Sequence, residues 1–141
     1  MKTKLQILDE TFDYFNNNHP RAMIDLWHAA FSTKLNGVLC HCAVGRCFKD
    51  EFKKENQPFE GLDTRAFGVS GTFGENVNRI DYYLKTEYQG HSPAFWKSLQ
   101  SFHDTNKYWV ETEKKRVFKM SDIGLQIYAH LRRMSRLSDQ K

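Results

Sequence analysis

The sequence predicts a mainly α protein, a compact bundle of about five to six helices with one small β-hairpin near residues 108–120. Three observations carry this. Apolar residues recur at spacings of three and four along most of the chain. Stretches rich in Asn, Gly and Pro separate those runs. Strand-type residues flank a charged tip near the C-terminal third, in Tyr108-Trp109-Val110-Glu111-Thr112 and Val117-Phe118-Lys119-Met120. A frayed helix is the alternative there.

Taken in order, Leu5, Leu8, Phe12 and Phe15 make one face of a helix over about residues 3–17. Asn16-Asn17-Asn18-His19-Pro20 breaks it, and Pro20 suits the first turn of a new helix. Met23, Ile24, Leu26, Trp27, Ala30 and Phe31 make that next helix apolar nearly all round, up to a turn signal at Asn36-Gly37. Residues 38–42 read as a short strand or an extended entry. A helix over 43–54 is expected to follow, with Val44, Cys47, Phe48 and Phe52 on one face. Pro58 and four Gly mark 56–74 as a long loop, with a short helical turn at 62–67.

Val77, Ile80, Leu84 and Tyr88 form another helical stripe, punctuated by Gly90 and Pro93. Ser92 is placed to cap the next helix, whose face carries Phe95, Leu99, Phe102 and Asn106 with Trp96 and His103 beside it. Ser121 caps a last helix. Met120, Ile123, Ile127, Leu131 and Met134 are expected on its inner side, with Arg132, Arg133 and Arg136 opposite. No repeat or linker divides the chain, so residues 1–141 are expected to form one domain.

Composition narrows the class. Eleven Phe, six Tyr and three Trp argue for an aromatic core and against global disorder. No apolar run approaches the ~18 residues of a membrane span, so no membrane partner is expected. The N-terminus lacks the apolar stretch of a signal peptide, and three Cys cannot form a complete disulfide framework. Together these predict a cytoplasmic protein. Residues 1–110 are charge-balanced, with 13 Lys/Arg and 13 Asp/Glu. Residues 111–141 hold eight basic and four acidic residues, so the whole net charge of +4 lies there. Such an end steers toward an acidic partner, or is a solvated helix face.

No motif assembles a catalytic site. Cys40-His41-Cys42 and Cys47 have C-x-C and C-x4-C spacing, which matches neither pair of a usual zinc site, so packing is the preferred reading and no metal is expected. Gly68-Val69-Ser70-Gly71-Thr72-Phe73-Gly74 lacks the Gly-Lys-Ser/Thr ending of a phosphate loop, and no cofactor is expected. His103 and Asp104 are adjacent in a helix, about 100° apart, and are not expected to pair. Lys114, Lys115, Arg116, Lys119, Arg132, Arg133 and Arg136 form the basic candidates, with Tyr108, Trp109 and Tyr128 near them.

Cys42-Ala43-Val44-Gly45-Arg46 resembles a C-A-[IV]-G motif of small phage, prophage and plasmid proteins. Lys49-Asp50-Glu51-Phe52 and Phe59-Glu60-Gly61 match its sequel loosely, and Leu99-Gln100-Ser101-Phe102-His103-Asp104 resembles the L-Q-x-x-H-D of the same proteins. The resemblance spans about residues 40–104 and implies no catalytic residue. It implies an accessory protein of mobile-element type, for which counter-defence inhibitors of the anti-CRISPR kind are the concrete case, by analogy.

The expected function is therefore a non-enzymatic binding module directed at a larger host protein or ribonucleoprotein. The expected contacts are Tyr108, Trp109, Lys114, Lys115, Arg116, Arg132, Arg133 and Arg136, Arg and aromatics being the usual interface anchors. For any of them, core packing or plain solvation is the competing reading. A nucleic-acid-binding regulator that uses the basic C-terminal region is the alternative.

Overall fold

A computed structural model describes residues 1–20, 32–35, 38–41, 43–52, 80–114 and 117–141. Helix α1 (Lys4–Phe15) leads, followed by strands β1 (Ser32–Leu35) and β2 (Val38–His41). Two 3₁₀ turns, Gly45–Cys47 and Asp50–Phe52, precede the single-turn helix α2 (Ile80–Tyr83) and a 3₁₀ turn at Thr86–Tyr88. Helix α3 (Pro93–Asp104) and a 3₁₀ turn at Asn106–Tyr108 lead to strands β3 (Trp109–Glu111) and β4 (Phe118–Met120), and helix α4 (Asp122–Asp139) closes the chain.

The long helices start where their caps place them. Thr3 accepts from the Gln6 amide while the Gln6 side chain accepts from the Thr3 amide, a reciprocal capping box. Ser92 accepts from the Phe95 amide with Pro93 in the first turn, and Ser121 accepts from the Gly124 amide. The Asn run ends α1 as expected. Asn17 adopts φ 57°, a left-handed conformation that Asn tolerates, and its amide donates to the Phe118 carbonyl at 2.7 Å. Asn16 Oδ1 accepts from the Met120 amide at 2.8 Å. The end of α1 thus lies along β4 as a third, parallel edge of the expected hairpin, in which Trp109 pairs with Met120 and Glu111 with Phe118.

The fold is mainly helical, with four α-helices among the described residues rather than five to six. Within the described residues the difference lies at 43–52 and at 32–35. Over 43–54 an α-helix was expected, but the backbone bonds run sideways: the Lys49 amide donates to the Tyr83 carbonyl at 2.8 Å and the Lys85 amide to the Cys47 carbonyl at 3.0 Å. The Lys49 amide has one proton to give, and donated to Tyr83 it cannot also bond the carbonyl four residues back, as a helical ladder requires. The same bonds shorten the helix expected over 77–88 to α2 and a 3₁₀ turn. At 32–35 a strand stands where the second helix was expected to end, paired antiparallel with β2 so that Ser32 meets His41 and Leu35 meets Val38. Asn-Gly between two short runs is a hairpin signal, and it outweighs helical periodicity there. Residues 21–31 of that expected helix, the 56–74 loop and the Gly-rich 68–74 stretch lie outside the described residues.

The core gathers Ile7, Leu8, Phe15, Val44, Phe48, Leu84, Trp96, Leu99, Phe102, Trp109 and Met120. Helix α4 packs on α1 through the Phe12–Tyr128 ring stack, with centroids 4.2 Å apart. Its buried side is Gly124, flanked by half-buried Ile127, Tyr128 and Leu131. The inner stripe expected from periodicity is therefore rotated, because Ile123 and Met134 are about half exposed, each at 51%. Gly124 causes the rotation. A Cβ there would lie 2.3 Å from the Tyr108 carbonyl oxygen and 2.9 Å from Met120 Sδ, so only glycine admits this close approach of backbone to helix. Gly124→Ala is expected to destabilise the fold by about 1–3 kcal/mol or more, despite its gain in helix propensity, read from the midpoint of urea unfolding.

Candidate binding surface

The 43–47 turn and the end of α3 meet in space. Gln100 Oε1 accepts from the Val44 amide at 3.3 Å, and Gln100 Nε2 donates to Asp104 Oδ1 at 2.8 Å. His103 Nδ1 lies 2.6 Å from the same carboxylate oxygen, so these neighbours do pair, contrary to the expectation for adjacent helix residues. Both close the last turn of α3, and Nδ1, the ring nitrogen nearest the backbone, swings round the helix to reach the oxygen that Gln100 holds. The His103 ring is fully buried and packs edge-on against Phe15. This cluster fastens α3 to the 43–47 turn.

Beside it, the Arg46 guanidinium reaches two other elements, α1 and the Thr86–Tyr88 turn. Its Nη1 donates to Glu10 at 3.3 Å and to the Tyr88 hydroxyl at 3.4 Å, and Nη2 donates to the Thr11 hydroxyl at 3.1 Å. Glu10 also accepts from Tyr88 at 2.8 Å and pairs with Lys2 at 2.5 Å. Burial alone would lower the Arg46 pKa, but Cys47, Tyr88 and Glu10 more than offset that and leave it raised. Burial would likewise raise Glu10, yet Lys2, Tyr88 and Arg46 hold it below its ordinary value. With every partner internal, the cluster is a brace.

Cys47 is buried, and its Sγ donates to the Ala43 carbonyl at 3.6 Å. Cys42 lies outside the described residues. Among the described residues no group of three His, Cys, Asp or Glu is arranged to hold a metal, and no helix is long and apolar enough to cross a membrane.

The predicted contact residues fall into three groups. Trp109 is core: it is 5% exposed, and its indole N–H donates to the Phe102 carbonyl at 3.1 Å. Tyr108 is half-buried, its ring tilted against Phe102. Neither aromatic therefore stands out as a surface anchor. Arg132 is engaged at the α1 interface, not presented on the far side of α4. Its Nε and Nη2 donate to the two Asp9 oxygens at 2.9 and 3.1 Å, and the Tyr128 hydroxyl donates to the same carboxylate. Burial would raise Asp9, but the bonds from Arg132 and Tyr128 outweigh it and hold its pKa below the ordinary value.

Lys114, Arg133 and Arg136 are exposed. Lys115 and Arg116 lie outside the described residues. Lys114 borders an open cleft of about 650 Å³ with Asn17, Val110, Glu111, Glu113 and Lys119, so its lining mixes both charges. Arg133 and Arg136 share a sector of α4 with exposed Ala129 and with Leu125, which is 46% exposed. At ~100° per residue these four fall within about 80° of one another. Leu125 was missed in the sequence. The signal was available in Gly124: once glycine marks the buried side, Leu125 must turn outward. Compared with known proteins, the chain matches no family model, no curated protein and no solved structure.

Two outcomes follow from this placement. Trp109→Ala is expected to cost about 3–5 kcal/mol of unfolding free energy, whereas Arg133→Ala and Arg136→Ala stay within about 0.5 kcal/mol. Chemical denaturation of the three variants separates core from surface. Asp9 and Glu10 are both held below their ordinary values of 3.8 and 4.5, so the stability they add is present above those values and is lost as pH falls through the lowered ones. Asp9→Asn is expected to flatten the acid limb of a melting-temperature profile, while leaving the neutral-to-alkaline limb parallel to that of the parent.

Proposed function

We propose that this protein is a non-enzymatic, protein-binding accessory module of mobile-element type, and that α4 presents its arginine face to an acidic patch on a larger host protein or ribonucleoprotein. The observation that carries the reading is the grouping of Arg133 and Arg136 with exposed Leu125 and Ala129. Arginine beside apolar surface is the composition of a protein interface. A phosphate-binding surface favours a continuous basic track with exposed stacking aromatics. Here Glu111 and Glu113 interrupt the basic residues of the hairpin, and Trp109 is in the core. The mobile-element setting, and a counter-defence target in particular, rest on the resemblance carried by Cys42–Arg46 and Leu99–Asp104.

The test is affinity capture from bacterial lysate, with and without nuclease, using the parent chain and an Arg133→Glu/Arg136→Glu variant, read by mass spectrometry. A stoichiometric protein partner that survives nuclease and is lost with the variant is the expected result. Two anchor arginines of this kind would weaken the complex by about tenfold or more. Recovery of nucleic acid alone, or of partners released by nuclease, would replace this reading with that of a nucleic-acid-binding regulator.

A further inference from the structure

The last two turns of α4 are held to the domain differently from the rest of the helix. Ile127, Tyr128 and Leu131 pack on the core, and Arg132 closes that stretch with its bonds to Asp9. From Arg133 onward no residue is buried, and only Ser135 and Ser138 are half-buried. Among the described residues, the polar bonds that fasten this span to another element all reach the first turn of α1. The Asp139 carboxylate accepts from the Lys4 amide at 3.0 Å through one oxygen and from the Leu5 amide at 3.1 Å through the other. Beside it, Lys4 Nζ donates to the Ser138 hydroxyl.

This contact completes the start of α1. A helix leaves its first four amides without partners in its own ladder. In α1 the capping box satisfies two of them, those of Thr3 and Gln6, and Asp139 satisfies the other two. For α4 itself Asp139 is a poor choice. Aspartate has low helix propensity, and a negative charge near a helix C-terminus opposes the helix dipole. The residue is unfavourable where it stands and favourable where it reaches, at the positive end of α1.

We propose that the last two turns of α4 are a latch. It is closed when Asp139 sits on the first turn of α1, and open when those turns fray from Arg133 onward while the rest of α4 stays seated. Residues at a helix end without buried contacts are the first to open. The closed latch keeps Arg133 and Arg136 at one helical spacing. Its value to a binding face, as preorganisation, rests on the reading of the preceding section; the latch itself does not.

Amide hydrogen exchange of the free chain, read residue by residue by NMR, tests this with Asp139→Ala. Helix propensity and the dipole both predict slower exchange at the end of α4, because alanine is the better residue there. The latch predicts the opposite sign. Exchange is expected to quicken by about fivefold or more at Lys4 and Leu5 and across residues 133–138, with residues 125–131 unchanged. Gln140→Ala, at an exposed neighbour, is expected to quicken none of them. Slower or unchanged exchange over 133–138 in Asp139→Ala overturns the proposal, even where Lys4 and Leu5 quicken, since Asp139 would then cap α1 without holding α4. So does equal quickening across the whole chain, which marks global unfolding, or the same quickening in Gln140→Ala. Every readout is on the free chain, so none depends on whether the arginine face binds a partner.

Discussion

The buried guanidinium of Arg46 is the constraint on which the middle of the structure depends. Around it the described residues form short elements: two 3₁₀ turns, the four residues of α2 and another 3₁₀ turn. None of these could hold its place through its own hydrogen-bond ladder. Arg46 joins the first turn to α1 through Glu10 and Thr11, and to the last turn through Tyr88. Removing so large a cation from water is costly, and the cost is offset only because Glu10 stays ionised beside it with Lys2 and Tyr88 as further partners. Apolar burial then completes what the charge begins, since Val44, Cys47, Phe48 and Leu84 close over the other side of the same turns.

A second constraint acts at the C-terminal end, where backbone replaces charge. The Tyr108 carbonyl accepts from the Ser121 amide at 2.9 Å and lies against Gly124. The Ser121 hydroxyl donates to the Lys107 carbonyl at 2.7 Å while also capping α4. Residues 106–108 are thereby clamped to the start of α4, and the Trp109 indole bonded to Phe102 clamps the same segment to α3. The hairpin needs only three paired residues per strand, because both of its ends are already held and the end of α1 supports β4 from the other side.

Much of this was legible in the residues, and what was not has identifiable causes. The starts of α3 and α4 follow from Ser92 and Ser121 with their periodic runs, the extent of α1 follows from its apolar stripe and the Asn run that breaks it, and the hairpin follows from its β-branched and aromatic residues, a frayed helix having been the alternative. These are local signals acting within a few residues. The 43–52 segment was misjudged because Val44, Cys47 and Phe48 have helical spacing, while the bonds that decide its structure come from Tyr83 and Lys85, more than thirty positions away in sequence. Faces were harder than boundaries. On α3 the buried residues are Trp96, Leu99, Phe102 and His103, with Phe95 half-buried and Asn106 exposed beyond the helix end. Periodicity ranks residues by hydrophobicity. It has no way to count a histidine buried beside a half-exposed carboxylate partner, or a glycine whose value lies in what it lets approach.

The rotation of α4 is where those two failures bear on function. Its angle is fixed at one end by Gly124 under the Tyr108 carbonyl, and midway by Tyr128 and Arg132 gripping Asp9 on α1. Neither contact is an apolar side chain entering a core, yet together they leave no freedom to turn Ile123 and Met134 inward. The outward apolar residues are thus a consequence of how the helix is held. Buried Gly124 and half-buried Tyr128, Leu131 and Ser135 follow one another at spacings of four, three and four, which is also the spacing of Ile123, Ile127, His130 and Met134. Spacing alone therefore could not say which of the two faces meets the domain, and the backbone contact at Gly124 and the grip on Asp9 decide it.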